Sequence, residues 1–309
     1  MRISKFSLIA GAVVGLAGVS GQSSAAISWN FSTGGTCGGG TSPNCTTRTY
    51  TPAGSPSVVV GGYSNTAAGA LSGPASGTTN TTLETAWIGS YSTNGLGIHN
   101  RDGSTSTNSQ YDTGDVASTA PEHAMDNDQR QDMMLFSFSE AINLKSAQIG
   151  WDTTDGVAGY DSDITVLAYT GVGAPSLVGD NYANLLSDGW TLIGHYGNLD
   201  SLLNDSAVIN TAVTSSYWLV GAYMYGLAGD TGTNPDGAGC TSSGSVGVSS
   251  TTYTTTTSTC KKDYMKILAL TGDKYTPPGG GGGGVPEPGS LALLGIGCAA
   301  LMAVRRKRK

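Results

Sequence analysis

Short apolar runs recur along the chain, and most alternate with polar residues at the period of two that marks a half-buried strand. Trp29 and Phe31 alternate with polar neighbours and predict a first strand. Ser57–Tyr63, with Val58-Val59-Val60, predicts a buried one, and Ala86–Tyr91, with Trp87 and Ile88, another bounded by turn residues. Further strands are expected at Met133–Phe138, Ile142–Trp151, Asp163–Tyr169, Trp190–Tyr196, Ala207–Ile209, Ser216–Tyr225 and Tyr264–Leu270. A short helix at Asn198–Asn204 is the one helical signal in this stretch. Strands of this length, parted by turn-rich loops, predict an all-β domain, a mostly antiparallel β-sandwich or jelly roll.

Three intervals depart from the pattern. The stretch from Ile27 to Ala53 is rich in Gly, Thr and Ser and carries Cys37 and Cys45 in a Gly-rich loop. Asn100–Asp132 is polar and acidic with no periodicity, so either it is disordered or something other than a core organises it, such as a bound ion. Asp230–Thr259 is Gly/Ser/Thr-rich and reads as a tethered surface loop between Cys240 and Cys260.

Both ends read as processing signals. Arg2 and Lys5 precede an apolar run from Phe6 to Val19 and the small residues Ser23-Ser24-Ala25-Ala26, which predicts a secretory signal peptide over 1–26. The exported domain then spans 27–275. Residues 276–284, Thr-Pro-Pro followed by six glycines, form a spacer that cannot pack as an element. Residues 285–309 hold Pro286-Glu287-Pro288, an apolar run from Leu291 to Val304 and five basic residues. As a helix that run covers roughly 21 Å, short of the roughly 30 Å hydrocarbon core. The basic tail prefers the cytoplasmic side, which leaves the domain outside.

Setting the two ends aside changes the charge. Seven of the 15 basic residues leave with them, so eight remain against 22 acidic residues, a balance near −14. Such a surface repels nucleic acid and anionic membrane, and a nucleic-acid partner is excluded. Cys298 lies in the apolar tail, and four cysteines remain for the domain. In an oxidising compartment they favour one disulfide in each loop, Cys37 with Cys45 and Cys240 with Cys260, although three pairings are open.

The order and spacing of the C-terminal parts resemble the PEP-CTERM proteins, substrates of exosortase in Gram-negative bacteria. That resemblance implies export through the Sec translocon, transient insertion in the inner membrane and processing by exosortase. It also implies display on the cell surface or in an exopolysaccharide matrix. In the body, Gly97-Ile98, Pro121–Asn127, Asp132–Phe138, Ile149-Gly150-Trp151, Asp161–Ile164, Gly189-Trp190 and Ser216–Leu219 resemble the exosortase-dependent surface proteins. This second likeness implies no enzymatic activity.

Candidate chemistry concentrates between residues 122 and 163. Glu122, Asp126, Asp128, Asp132, Asp155, Asp161 and Asp163 offer carboxylates and Asn127 an amide oxygen. Hard oxygen donors at this density suit Ca²⁺, which takes about six to eight of them. The spacing does not fit an EF-hand, and a solvated acidic loop with Asx-turns stays open as the alternative. His99, His123 and His195 form no short metal-binding pair. Glu122-His123 beside Asp126 lacks a nucleophile elbow, so His123 is expected to order its loop by hydrogen bonds. Tyr217, Tyr223 and Tyr225 share a strand face, with Trp190 and Tyr196 nearby. Core packing explains that alternation more simply than a sugar-stacking surface. The expected protein is a non-enzymatic surface or matrix component, with a Ca²⁺-assisted carbohydrate-binding module or a secreted hydrolase as alternatives.

Overall fold

The structure is a computed structural model. It describes residues 26–33, 35–41, 44–66, 82–100, 123–127, 131–152, 160–224, 226–233, 235 and 262–275. Among them the chain is all-β, with short 3₁₀ turns as the helical elements and no helix long and apolar enough to cross a membrane. Cys240, Cys260, residues 1–25 of the expected signal peptide and the expected sorting tail lie outside the described residues.

The strands are β1 (Ile27–Asn30), β2 (Thr36–Thr41), β3 (Asn44–Tyr50), β4 (Val58–Ser64), β5 (Glu84–Ser90), β6 (Leu96–His99) and β7 (Met125–Asp126). There follow β8 (Asp132–Asp152), β9 (Tyr160–Asp161), β10 (Ile164–Tyr169), β11 (Trp190–Tyr196), β12 (Ser206–Val208), β13 (Ser215–Ala222) and β14 (Lys262–Lys274). The periodicity suggested the layering of a sandwich or jelly roll. The hydrogen bonds instead run through all 14 strands as one sheet, in the order β1-β14-β6-β5-β3-β4-β8-β13-β10-β11. Further β14–β8 and β5–β4 pairings close that path on itself.

One strand makes the closure. The predicted runs Met133–Phe138 and Ile142–Trp151 are the two halves of β8. The first half lies between β4 and β13, from Ser64↔Asp132 to Val58↔Phe138 on the β4 side. The second half pairs with β14, from Ile142↔Lys274 to Asp152↔Met265. Both partner sets are antiparallel, so β8 runs to one end of the sheet, turns near residues 139–141 and returns. Its first half needs no polar face, because both faces are covered. Met134, Phe136 and Phe138 enter the main core with Trp29, Val60, Ile88, Ile164 and Trp218. Met133 and Leu135 point the other way, under Leu177, Tyr182 and Leu185 of the 170–189 segment and Trp190 at the start of β11. Each such buried side chain contributes about 1.5–3 kcal/mol of transfer free energy.

The stretch with Cys37 and Cys45, expected as a loop, is the β2–β3 hairpin. The two strands pair from Thr36↔Thr49 to Thr41↔Asn44, and a Cys37–Cys45 disulfide ties the hairpin, with Cα atoms 5.5 Å apart. The expected helix at 198–204 is two 3₁₀ turns, Leu199–Ser201 and Leu203–Asp205. Leu202 breaks the run with an extended backbone and Asn204 lies at φ 57°.

The sheet has two poles. At one, β1 begins beside the end of β14, with Ile27 opposite Gly272, and the turn of β8 lies against it through Tyr275 N–H to the Ala141 carbonyl at 3.0 Å. At the other gather the ends of β4, β6 and β13, both ends of β8 and the starts of β10 and β14.

Candidate functional site

The second pole collects the ionisable side chains. β9 runs parallel to the start of β14, with Asp161 opposite Asp263. Residues two apart on an extended chain share a face, so Asp163 turns the same way as Asp161. Carboxylate oxygens of Asp161, Asp163 and Asp263 come within 4.8 Å of one another, and all three residues are buried. Asp163 and Asp263 are 0% exposed.

Backbone and amide donors fix this group. Asp263 accepts from Asp163 N–H at 2.8 Å through Oδ1 and from Asn127 Nδ2 at 2.5 Å through Oδ2. Asp163 Oδ1 accepts from Asn198 N–H at 2.5 Å, where Asn198 sits at φ 52° and turns its amide inward. Asn127 Oδ1 accepts from Asp263 N–H at 2.9 Å, and its Nδ2 also reaches the Tyr223 carbonyl at 3.1 Å. Burial, then the charge of Asp163, then a hydrogen bond and charge from Asp161 push the Asp263 carboxyl well above the usual carboxylate range. Three carboxylates this close and this dry cannot all stay ionised and uncompensated.

The expected cation ligands therefore divide. Asp161 and Asp163 belong to the group. Asn127 Oδ1 accepts Asp263 N–H and its Nδ2 donates to Asp263 Oδ2, so the residue orients Asp263. Asp132 lies elsewhere, opposite Ser64 and accepting from Asn100 Nδ2 at 3.4 Å. Asp126 is buried with its backbone paired to Tyr264, and its carboxylate is not among the three that converge. Glu122, Asp128 and Asp155 lie outside the described residues. Asp263 was not expected at all. A signal existed: it shares strand phase with the core residues Met265 and Ile267, an acid where an apolar side chain belongs.

A second cluster adjoins the first. The rings of His99 and His123 stack with centroids 3.8 Å apart, and Tyr91 lies parallel to both while its hydroxyl meets His99 Nε2. His123 sits at φ 58°, and its carbonyl lies where a Cβ on Gly97 would be, 1.7 Å away, so only glycine fits there. Lys266, 4% exposed, holds its Nζ 3.6 Å from the Trp151 ring centroid and 4.9 Å from that of Tyr91. Burial, then the neighbouring His123 and Lys266, lower the His99 pKa to about 3. His123 stacks on His99 and Tyr91, and most of the loop it was expected to order lies outside the described residues.

A third arrangement was missed by the sequence reading. Thr165 Oγ1 lies 2.8 Å from His195 Nδ1, and His195 Nε2 lies 2.9 Å from Asp230 Oδ2. The alignment has the order of nucleophile, base and acid. Yet Thr165 is 0% exposed, and its hydroxyl also accepts Met224 N–H at 2.8 Å. A substrate carbonyl cannot reach that oxygen. The chain of bonds ties the 226–233 segment to β10 and β11, with Asp230 Oδ1 accepting Gly232 N–H. The aromatic candidates are also largely interior: Trp218, Trp190 and Tyr223 are buried, while Tyr217 is partly so, packed edge-on to Tyr169. Tyr225 lies outside the described residues.

Residues 284–309 match the PEP-CTERM protein-sorting motif. This interval contains Pro286, Glu287 and Pro288. No curated protein and no solved structure matches the chain.

Proposed function

We propose that this chain is the precursor of an exported, non-enzymatic surface or matrix protein whose folded domain is delivered by exosortase. The match over 284–309 carries the proposal. The chain passes the Sec translocon, is held in the inner membrane by its short apolar run, and is cut and released to the cell surface or an exopolysaccharide matrix. A non-enzymatic role is supported by the burial of Thr165, which closes the aligned Thr165–His195–Asp230 relay to substrate. The test replaces Pro286, Glu287 and Pro288 together by alanine and follows the mass and fraction of the protein in cells with and without an exosortase. Accumulation of full-length protein in the membrane fraction is expected. Unchanged processing overturns the proposal.

At the delivered domain's acidic pole, Ca²⁺ is the proposed occupant of the Asp161–Asp163–Asp263 group. Three hard carboxylates whose oxygens lie within 4.8 Å of one another suit a hard divalent cation. A ligand selective for the folded state raises its melting temperature. Added Ca²⁺ should therefore raise the melting temperature of the chelator-treated protein at neutral pH. An unchanged value overturns the cation assignment and leaves the sorting proposal standing.

A further inference from the structure

We infer that the terminal pole is a membrane-apposed surface, on which the domain stands before it is released while its acidic pole faces outward. This rests on the sorting proposal above. Antiparallel pairing of the first and last strands fixes the geometry. Ile27 lies opposite Gly272, so the chain enters the domain beside the point where it leaves at Tyr275. Both apolar segments of the precursor, the run ending at Val19 and the run beginning at Leu291, thus connect to the same pole.

The lengths outside the domain make that pole the near one. Fifteen residues, 276–290, separate Tyr275 from the apolar run, and six of them are consecutive glycines. A Gly-rich chain of fifteen residues spans about 20 Å on average. A domain of about 250 residues is roughly 45 Å across. The average tether is shorter than the domain, so the face from which it leaves stays toward the bilayer. The surface there is compatible with apposition. The charged side chains beside the β14 exit neutralise one another in two pairs, Lys145–Asp273 at 3.6 Å and Lys274–Glu140 at 2.5 Å. Around them, Ala53, Gly54, Ala212 and Tyr275 are exposed and uncharged. The strand ends joined by the long polar intervals 101–122, 153–159 and 236–261 all lie at the opposite pole.

The occupant is the lipid surface, and lipid crosslinking reads it out. A photoreactive phenylalanine analogue is placed singly at Ala53, Ala212 or Thr231 of the full-length chain, in cells lacking exosortase so that the precursor stays in the membrane. All three positions are exposed; the first two lie at the terminal pole and Thr231 at the acidic one. Ala53 and Ala212 should give lipid adducts several-fold above Thr231. Inserting about 30 Gly/Ser residues into the spacer raises its average span to roughly 37 Å, and should shrink that difference. Equal yields at the three positions in membrane-bound protein overturn the orientation but leave the sorting proposal intact. Protein that never enters the membrane fraction overturns both.

Discussion

The two poles are built from the same strands and differ in what those strands bury. At the terminal pole the interior is aromatic and aliphatic: Trp29 meets Phe138 with ring centroids 4.6 Å apart, beside Ile142. Its charged groups sit outside, about half exposed in the Lys274–Glu140 pair. At the acidic pole Asp263, His99 and Lys266 are inside. Apolar burial is indifferent to pH and ions, whereas buried ionisable groups tie stability to both. One half of the domain should therefore behave as a fixed scaffold and the other as a condition-dependent closure.

The largest expected effect lies at the scaffold. Trp29 is fully buried and donates its indole N–H to the Pro56 carbonyl at 2.7 Å. Trp29→Ala should cost about 3–5 kcal/mol, read as a shift in denaturant midpoint. The same loss should be measured between about pH 5 and 8, with or without Ca²⁺. A loss that varies with either would break the division.

Next comes the pH response of the acidic pole, where two groups act with opposite signs. The Asp263 carboxyl is raised above 3.8 in the fold, so the folded state holds the proton more tightly. Its contribution is fully present at low pH and is lost as pH rises through the folded value, by up to about 1.4 kcal/mol for each pH unit crossed. His99 is lowered from 6.5 to about 3, so its contribution is present above 6.5 and is lost as pH falls toward 3. Melting temperature against pH in chelator should show both limbs. Asp263→Asn should flatten the one that falls with rising pH and abolish the response to Ca²⁺. His99→Phe should flatten the acid limb alone. Identical profiles for the two variants would mean that the poles are not separable in this way.

A smaller effect is expected at Asn127, whose amide makes three hydrogen bonds to Asp263 and Tyr223. Asn127→Ala should cost about 1–3 kcal/mol through the partners it strands. Asn127→Asp adds a fourth carboxylate beside three. It should destabilise more than alanine in chelator and less than alanine in Ca²⁺. The same ranking in both media would remove the cation from the account.

The scaffold was far more legible in the sequence than the closure. Short apolar runs located β4 and β5, and runs with apolar positions at strand period located β10, β11 and β13, because each turns a face toward a contiguous core. β8 was read as two strands, since a run that turns at 139–141 and changes partners looks the same locally as a run that stops. The β2–β3 hairpin was missed because Thr and Gly carry no hydrophobic period, although Cys37 and Cys45 marked it. At the closure, Asp161 and Asp163 were found by local density, but Asp263 lies 100 residues on and is brought in by a parallel pairing that no local pattern encodes. Asp132 was grouped with them by the same local density, but its carboxylate is not among the three that converge. Thr165 and His195 came together through neighbouring strands, where only the register decides.

The least effect is expected from the charges that look most like stabilising contacts. Lys274 and Glu140 form a close ion pair, yet their side chains are 51% and 46% exposed. Water screens such a pair and ordering two long side chains offsets most of the attraction, so Lys274→Ala, Glu140→Ala and the double variant should each lie within about 0.5 kcal/mol of the parent. The coupling between them should shrink further as salt is raised. A coupling above about 1 kcal/mol would place the terminal pole's charges in the same class as the buried ones. The contrast would then rest on sign of charge rather than on burial. A value near zero keeps burial as the cause, because the same chemistry moved from surface to interior is what turns a neutral pair into a pH- and cation-dependent lock.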